Sequence, residues 1–73
     1  MSIQQIKINT EFITMSQFLK FAEVIDSGGM VKWFLEEHDI KVNGEPENRR
    51  GKKLRAGDTV EIAGIGSYRI EQD

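Results

Sequence analysis

The densest chemistry in this chain is a run of cations: Arg49, Arg50, Lys52, Lys53 and Arg55 fall within seven residues, with no acid among them. Guanidinium and ammonium groups at that density suit phosphate oxygens, and they can follow a phosphate backbone with little regard for sequence. The net charge of −2 argues by itself against a polyanionic ligand. Setting the run aside leaves five basic against twelve acidic residues, a net of −7 on the rest of the chain. Local potential rather than total charge steers an anion, so a mildly acidic chain with one concentrated basic segment can still bind nucleic acid. The alternative is a solvated loop that only balances acidic surfaces. The run contains Gly51, follows Pro46 and Asn48, and precedes Gly57, which makes it an irregular loop rather than a helix face. No aromatic residue is interleaved with it, which disfavours base stacking of the oligonucleotide-barrel kind.

A second candidate is Ser27-Gly28-Gly29 with Lys32 about one turn further on. Glycines at a helix start let a phosphate approach free backbone amides. The same glycines would also simply permit a sharp corner between helices. Trp33 could stack on a base, but beside Met30 and Phe34 it is read as core. His38, the lone histidine, sits among Glu36, Glu37 and Asp39; at a helix C-terminus a cation needs no function to explain it. Ser2, Ser16, Ser27 and Ser67 lack a nucleophile-elbow context. Gly64-Ile65-Gly66 lacks the third glycine and following helix of a dinucleotide fingerprint, so it is read as a hairpin turn. With no cysteine and one histidine, no catalysis, metal or cofactor is expected.

These groups must be positioned by a small frame. The 73 residues give room for one domain and not two. No apolar run approaches the ~18 residues of a membrane span, and no signal peptide is read at the start, so a cytoplasmic protein is expected. Ile6 and Ile8 alternate with polar residues as a first strand. Thr14 and Gln17 form a capping box, Ile13 and Phe18 a hydrophobic staple, and Phe18, Phe21, Ala22 and Ile25 the buried stripe of the helix that follows. A second helix is expected from about Gly28 to Glu37, with Met30, Val31, Phe34 and Leu35 inward, joined to the first by a tight Ser-Gly-Gly corner. The period then switches to two. Ile40 and Val42 mark a strand, Asn43-Gly44 a tight turn, Leu54 an apolar anchor, Ala56-Gly57-Asp58 a turn, and Val60 with Ile62 and Tyr68 with Ile70 two more strands. The expected fold is α+β: a two-helix corner packed on a small, mainly antiparallel sheet.

In that order of features the segment from Thr14 to Ile62 resembles the S-four RNA-binding domain, named after a small-subunit ribosomal protein. The resemblance is carried by Phe18-Leu19-Lys20, Ser27-Gly28-Gly29, Lys41-Val42-Asn43-Gly44 and Gly57-Asp58-Thr59-Val60. Ser27-Gly28-Gly29, Lys32, Asn43-Gly44-Glu45, Arg49-Arg50-Gly51 and Lys53-Leu54 are similar to the stand-alone bacterial subgroup of YaaA-type S-four-like proteins. In larger relatives the catalytic part lies elsewhere in the chain, so the resemblance implies binding without catalysis. It also implies RNA contacts from Lys20, the helix start at Ser27 to Lys32, Lys41, Asn43 and the basic loop. Many members carry an arginine just after the serine that begins the second helix. Gly28 stands there instead, which moves the expected affinity toward residues 49–55 and lets the amides of Gly28 and Gly29 replace a side chain.

The function expected from all this is binding of structured ribosomal or transfer RNA, by a protein expected to be a monomer with no membrane partner. Loop cations would pair with phosphates and Asn43 would add a sugar or base-edge hydrogen bond. Two other readings stay open. One is a protein-interaction adaptor that uses the acidic helices. The other is a ubiquitin-like or sulfur-carrier fold, in which Val-Asn-Gly-Glu and Gly-Asp-x-Val-Glu-Ile also occur; its chemistry uses a C-terminal Gly-Gly, whereas this sequence ends Ile70-Glu71-Gln72-Asp73.

Overall fold

A computed structural model describes residues 3–73; Ser2 lies outside the described residues. The elements run β1 (Ile3–Ile8), β2 (Ile13–Thr14), α1 (Met15–Phe21), a 3-10 turn (Gly28–Met30), α2 (Val31–Glu37), β3 (Ile40–Val42), β4 (Glu45–Pro46), β5 (Lys53–Leu54), β6 (Thr59–Ile62) and β7 (Gly66–Gln72). Five strands form one sheet in the order β1-β7-β6-β3-β4, while β2 and β5 form a separate two-stranded ribbon. The β7–β6, β6–β3 and β3–β4 pairings are antiparallel, as the alternating pattern predicts. The β1–β7 pairing is parallel, joining the two ends of the described chain along one edge.

Both helices pack on this sheet through one core. Phe18, Leu19, Met15 and Leu54 are fully buried with Ile70 and Val60, and the Phe18 ring meets Tyr68 edge-on with centroids 5.3 Å apart. No buried side-chain polar atom among the described residues lacks a partner. The buried side chains among these residues are all aliphatic, aromatic or methionine, and none leaves a hydrogen bond unmet.

Thr14 caps α1 as expected: its hydroxyl accepts from the Gln17 amide at 3.2 Å, and Gln17 Oε1 accepts from the Thr14 amide at 2.9 Å. The buried stripe of α1 has a different phase from the one expected. It consists of Met15, Phe18, Leu19 and Ala22, so Phe21 falls well off it and is 60% exposed. Ile25 is buried, but from the connection after the helix. The helix stops early in a Schellman motif. The Glu23 amide donates to Lys20 O at 3.1 Å and the Val24 amide to Leu19 O at 3.1 Å, with Glu23 at φ +59 where glycine is usual. Residues 22–27 therefore separate the helices, in place of a tight corner. The second helix starts at Gly28 as a 3-10 turn and becomes α-helical only at Val31. Trp33 is 55% exposed and not core. At about 100° per residue, Val31, Phe34 and Leu35 face the sheet and Trp33 points away from it.

Candidate nucleic-acid interface

The basic loop is built on the β3–β4 hairpin and fastened to α1. Asn43 and Gly44 take φ +53 and +85 as the two-residue turn between Val42 and Glu45, the backbone a tight hairpin of this twist requires. The Asn43 side chain is already engaged. Its Oδ1 accepts from the Thr59 amide at 3.0 Å and its Nδ2 donates to Asp58 Oδ1 at 3.1 Å. Asp58 in turn accepts from the Arg55 amide at 2.8 Å. Asn43 thus ties the hairpin turn to the far end of the basic loop, a bracing role that its appearance in an Asn-Gly turn motif does not reveal.

At the near end Glu47 governs the loop. Its amide donates to Ile40 O at 2.9 Å. Its carboxylate accepts from the Arg49 amide at 3.1 Å, from Arg49 Nε at 3.0 Å and from Arg49 Nη2 at 3.2 Å. The Arg49 hydrogen bonds hold the Glu47 carboxyl below the ordinary carboxylate range, and Glu47 raises the Arg49 guanidinium above its ordinary value. One cation of the run is therefore paired at its own base. It is the only ion pair among the described residues, so Arg50, Lys52, Lys53 and Arg55 have no acidic partner there.

The middle of the loop is anchored to the start of α1. The Met15 amide donates to Lys52 O at 2.8 Å and the Ser16 amide to Arg50 O at 3.0 Å. Two donors that a helix start leaves unpaired thereby fix the loop backbone, while the Thr14 cap takes a third. The pairing of β2 with β5 adds a ladder at Ile13–Leu54 and Thr14–Lys53. Lys53 and Arg55 lie over the ring of Phe12, with Lys53 Nζ 4.9 Å and the Arg55 guanidinium carbon 5.8 Å from its centroid. The loop is irregular as expected, with its backbone held at both ends and in the middle.

The remaining candidates fall around it. Lys32, Lys41 and Arg50 line one cleft between α2 and the β3–β4 hairpin, together with Glu36, Asp39 and Glu47, so the cleft is mixed in sign. Arg49 to Arg55 line a shallower depression that shares Arg50 with the cleft. Ser27, Gly28 and Gly29 are exposed, and the Ser27 side chain caps nothing. The Lys20 ammonium stands 4.0 Å from where a side chain on Gly28 would begin. His38 stacks on Phe34 with centroids 4.3 Å apart. Ser16 and Ser67 lie in α1 and β7, Gly64 in the β6–β7 turn and Gly66 at the start of β7. Among the described residues no group of three metal-ligating side chains converges, and no helix is long and apolar enough to cross a membrane.

Sequence reasoning missed Glu47 and Phe12. Glu47 had a local signal, an acid two residues before an arginine across a non-helical step. Phe12 had none, because only the β2–β5 ribbon brings it under the loop.

An S4 domain family model matches residues 6–71. Over 65 residues the chain is 63% identical to a protein of Bacillus subtilis (strain 168) named probable ribosome maturation protein RlbA, a match that covers 89% of this chain and 92% of that protein. Taken with the two-helix and mainly antiparallel architecture, these matches show that the chain belongs to the S4 domain family.

Proposed function

We propose that the chain is a single-domain, non-catalytic RNA-binding protein that acts on structured RNA of the ribosome, with the loop from Arg49 to Arg55 as its principal contact. The observation that carries this reading is the state of the loop. Four of its cations lack an acidic partner among the described residues, and its backbone is pinned by hydrogen bonds to α1. A pre-ordered row of cations loses little entropy when it meets a phosphate backbone. The identity to a protein named for ribosome maturation favours ribosomal over transfer RNA.

Lys32 and Lys41 extend the contact across the cleft that Arg50 shares. Lys20, with the exposed Ser27, Gly28 and Gly29, offers a second place for a phosphate. One amide hydrogen of Asn43 remains for a sugar hydroxyl once Asp58 has taken the other. An A-form helix is read through its backbone, shape and 2′-hydroxyls, so such a site needs no base code.

The experiment is RNA binding at several salt concentrations for the wild type and for two double variants. Each phosphate that the protein no longer neutralises lowers the log–log salt slope by about 0.9. Lys52→Ala/Lys53→Ala should lower it by about 2. Arg49→Ala/Arg50→Ala should lower it by about 1, since Arg49 is already paired with Glu47. Affinity should fall equally for RNAs of different sequence, and stability should stay within about 0.5 kcal/mol. Unchanged affinity and slope in both folded variants would remove the loop from the interface.

A further inference from the structure

Phe12 and Phe21 line one groove of about 580 Å³ beside α1. Phe12 is half-buried between β1 and β2, and Phe21 is 60% exposed although Phe18, one turn earlier, is fully buried. Phe12 also lies under Lys53 and Arg55, at 4.9 and 5.8 Å. The groove therefore adjoins the proposed phosphate contact through a shared ring. Rings for a base next to cations for its phosphate are the composition of sites that hold an unpaired nucleotide. The basic run has no aromatic residue within it, but the fold brings the Phe12 ring to it, and Phe21 lines the same groove as that ring.

The rest of the lining says which part of a nucleotide fits. Glu11 and Asp73 border the groove with Lys7, two carboxylates against one ammonium, so the charge around it is net negative and disfavours a phosphate. What enters is then flat and uncharged, while the backbone stays with Lys53 and Arg55. Gln17 commits Oε1 to the Thr14 amide, which leaves its amide hydrogens to donate toward the groove. We infer that this groove takes one unpaired base of the bound RNA, stacked against Phe21 and Phe12, with its flanking phosphates on Lys53 and Arg55. The inference rests on the reading of the loop as an RNA contact.

Three RNA hairpins with one common stem test it by fluorescence anisotropy: fully paired, with a single bulged adenosine, and with an abasic nucleotide in the bulge. The wild type should bind the adenosine bulge about tenfold more tightly than the abasic one, the scale of one stacked base. Phe21→Ala should erase that difference and leave the fully paired hairpin bound as before. Equal binding of the two bulges by the wild type would overturn the inference and leave the RNA reading intact. Failure to bind all three hairpins would overturn both. A 5-iodouridine in the bulge supplies a second readout: a photo-adduct on Phe12 or Phe21 is expected, and an adduct on Trp33 would overturn the assignment. The protein alone should sediment as a monomer. A dimer that Phe21→Ala splits would give the groove to a second copy of the chain and overturn the inference.

Discussion

Replacing Glu47 by glutamine should strengthen RNA binding, and the reason is arithmetic on one ion pair. The Glu47 carboxylate holds the Arg49 side chain through two contacts, at 3.0 and 3.2 Å, and its backbone amide through a third at 3.1 Å. Its own amide is fixed to Ile40, so the acid cannot follow Arg49 toward a ligand. Arg49 therefore counts as neutralised in the wild type, and the loop presents four free cations instead of five. Glutamine keeps an oxygen for the Arg49 amide but removes the charge. One added phosphate contact steepens the salt slope by about 0.9, so the variant's advantage should shrink about three- to fourfold between 50 and 200 mM salt. The pH dependence has a definite sign. The Glu47 carboxyl is held below the ordinary carboxylate range by Arg49, so the latch is fully closed above that range and opens as pH falls through the lowered value. Wild type and Glu47→Gln should converge there. Anisotropy titrations on one hairpin RNA across salt and pH supply the measurement. Equal slopes for the two proteins at neutral pH would refute the view that Glu47 withholds Arg49 from the ligand.

Two further predictions concern the frame. Glu23 occupies the C′ position of α1 at φ +59, and Glu23→Gly should stabilise the fold by about 1 kcal/mol, visible as a rise of about 4–8 °C in Tm for a domain this small; an unchanged or lower Tm would mean that the left-handed residue carries no strain. Asn43→Ala should cost about 2–3 kcal/mol, from the absence of two side-chain hydrogen bonds and from a positive φ, whereas Asn43→Gly should recover only the backbone share in the same denaturant titration; equal losses would assign the whole effect to the amide.

Much of the frame was readable because its signals are local. The Thr14–Gln17 capping box, the Asn43-Gly44 turn and the alternation of Ile40 with Val42 and of Val60 with Ile62 each depend on residues a few positions apart. Errors arose where two phases of one pattern were both available. Met15, Phe18, Leu19 and Ala22 satisfy the same helical spacing as Phe18, Phe21, Ala22 and Ile25, and only the end of α1 at Phe21 decides between them. That end is set by a backbone motif closed on a glutamate, a residue type that does not announce a helix stop. The parallel pairing of β1 with β7 and the two-residue ribbon of β2 with β5 join segments far apart in sequence, and short strands carry too little alternation to betray a partner.

The candidate site divides along the same line. Its cations were legible because they are consecutive, and charge needs no partner to be recognised. Which of those cations are free was legible only in part: Glu47 stands two residues before Arg49, but its fastening to β3 and the placing of Phe12 under Lys53 come from the fold. The loop's composition suggests an irregular loop that carries five cations. The fold instead gives a fixed row in which Arg49 is withheld, Lys53 and Arg55 rest on an aromatic ring, and Arg50 reaches the neighbouring cleft. Phosphate contacts alone confer affinity without selectivity. On the proposed reading, a row whose members differ in availability, bordered by a groove that takes an unpaired base, would tell a bulged helix from a regular one, a distinction of shape rather than of sequence.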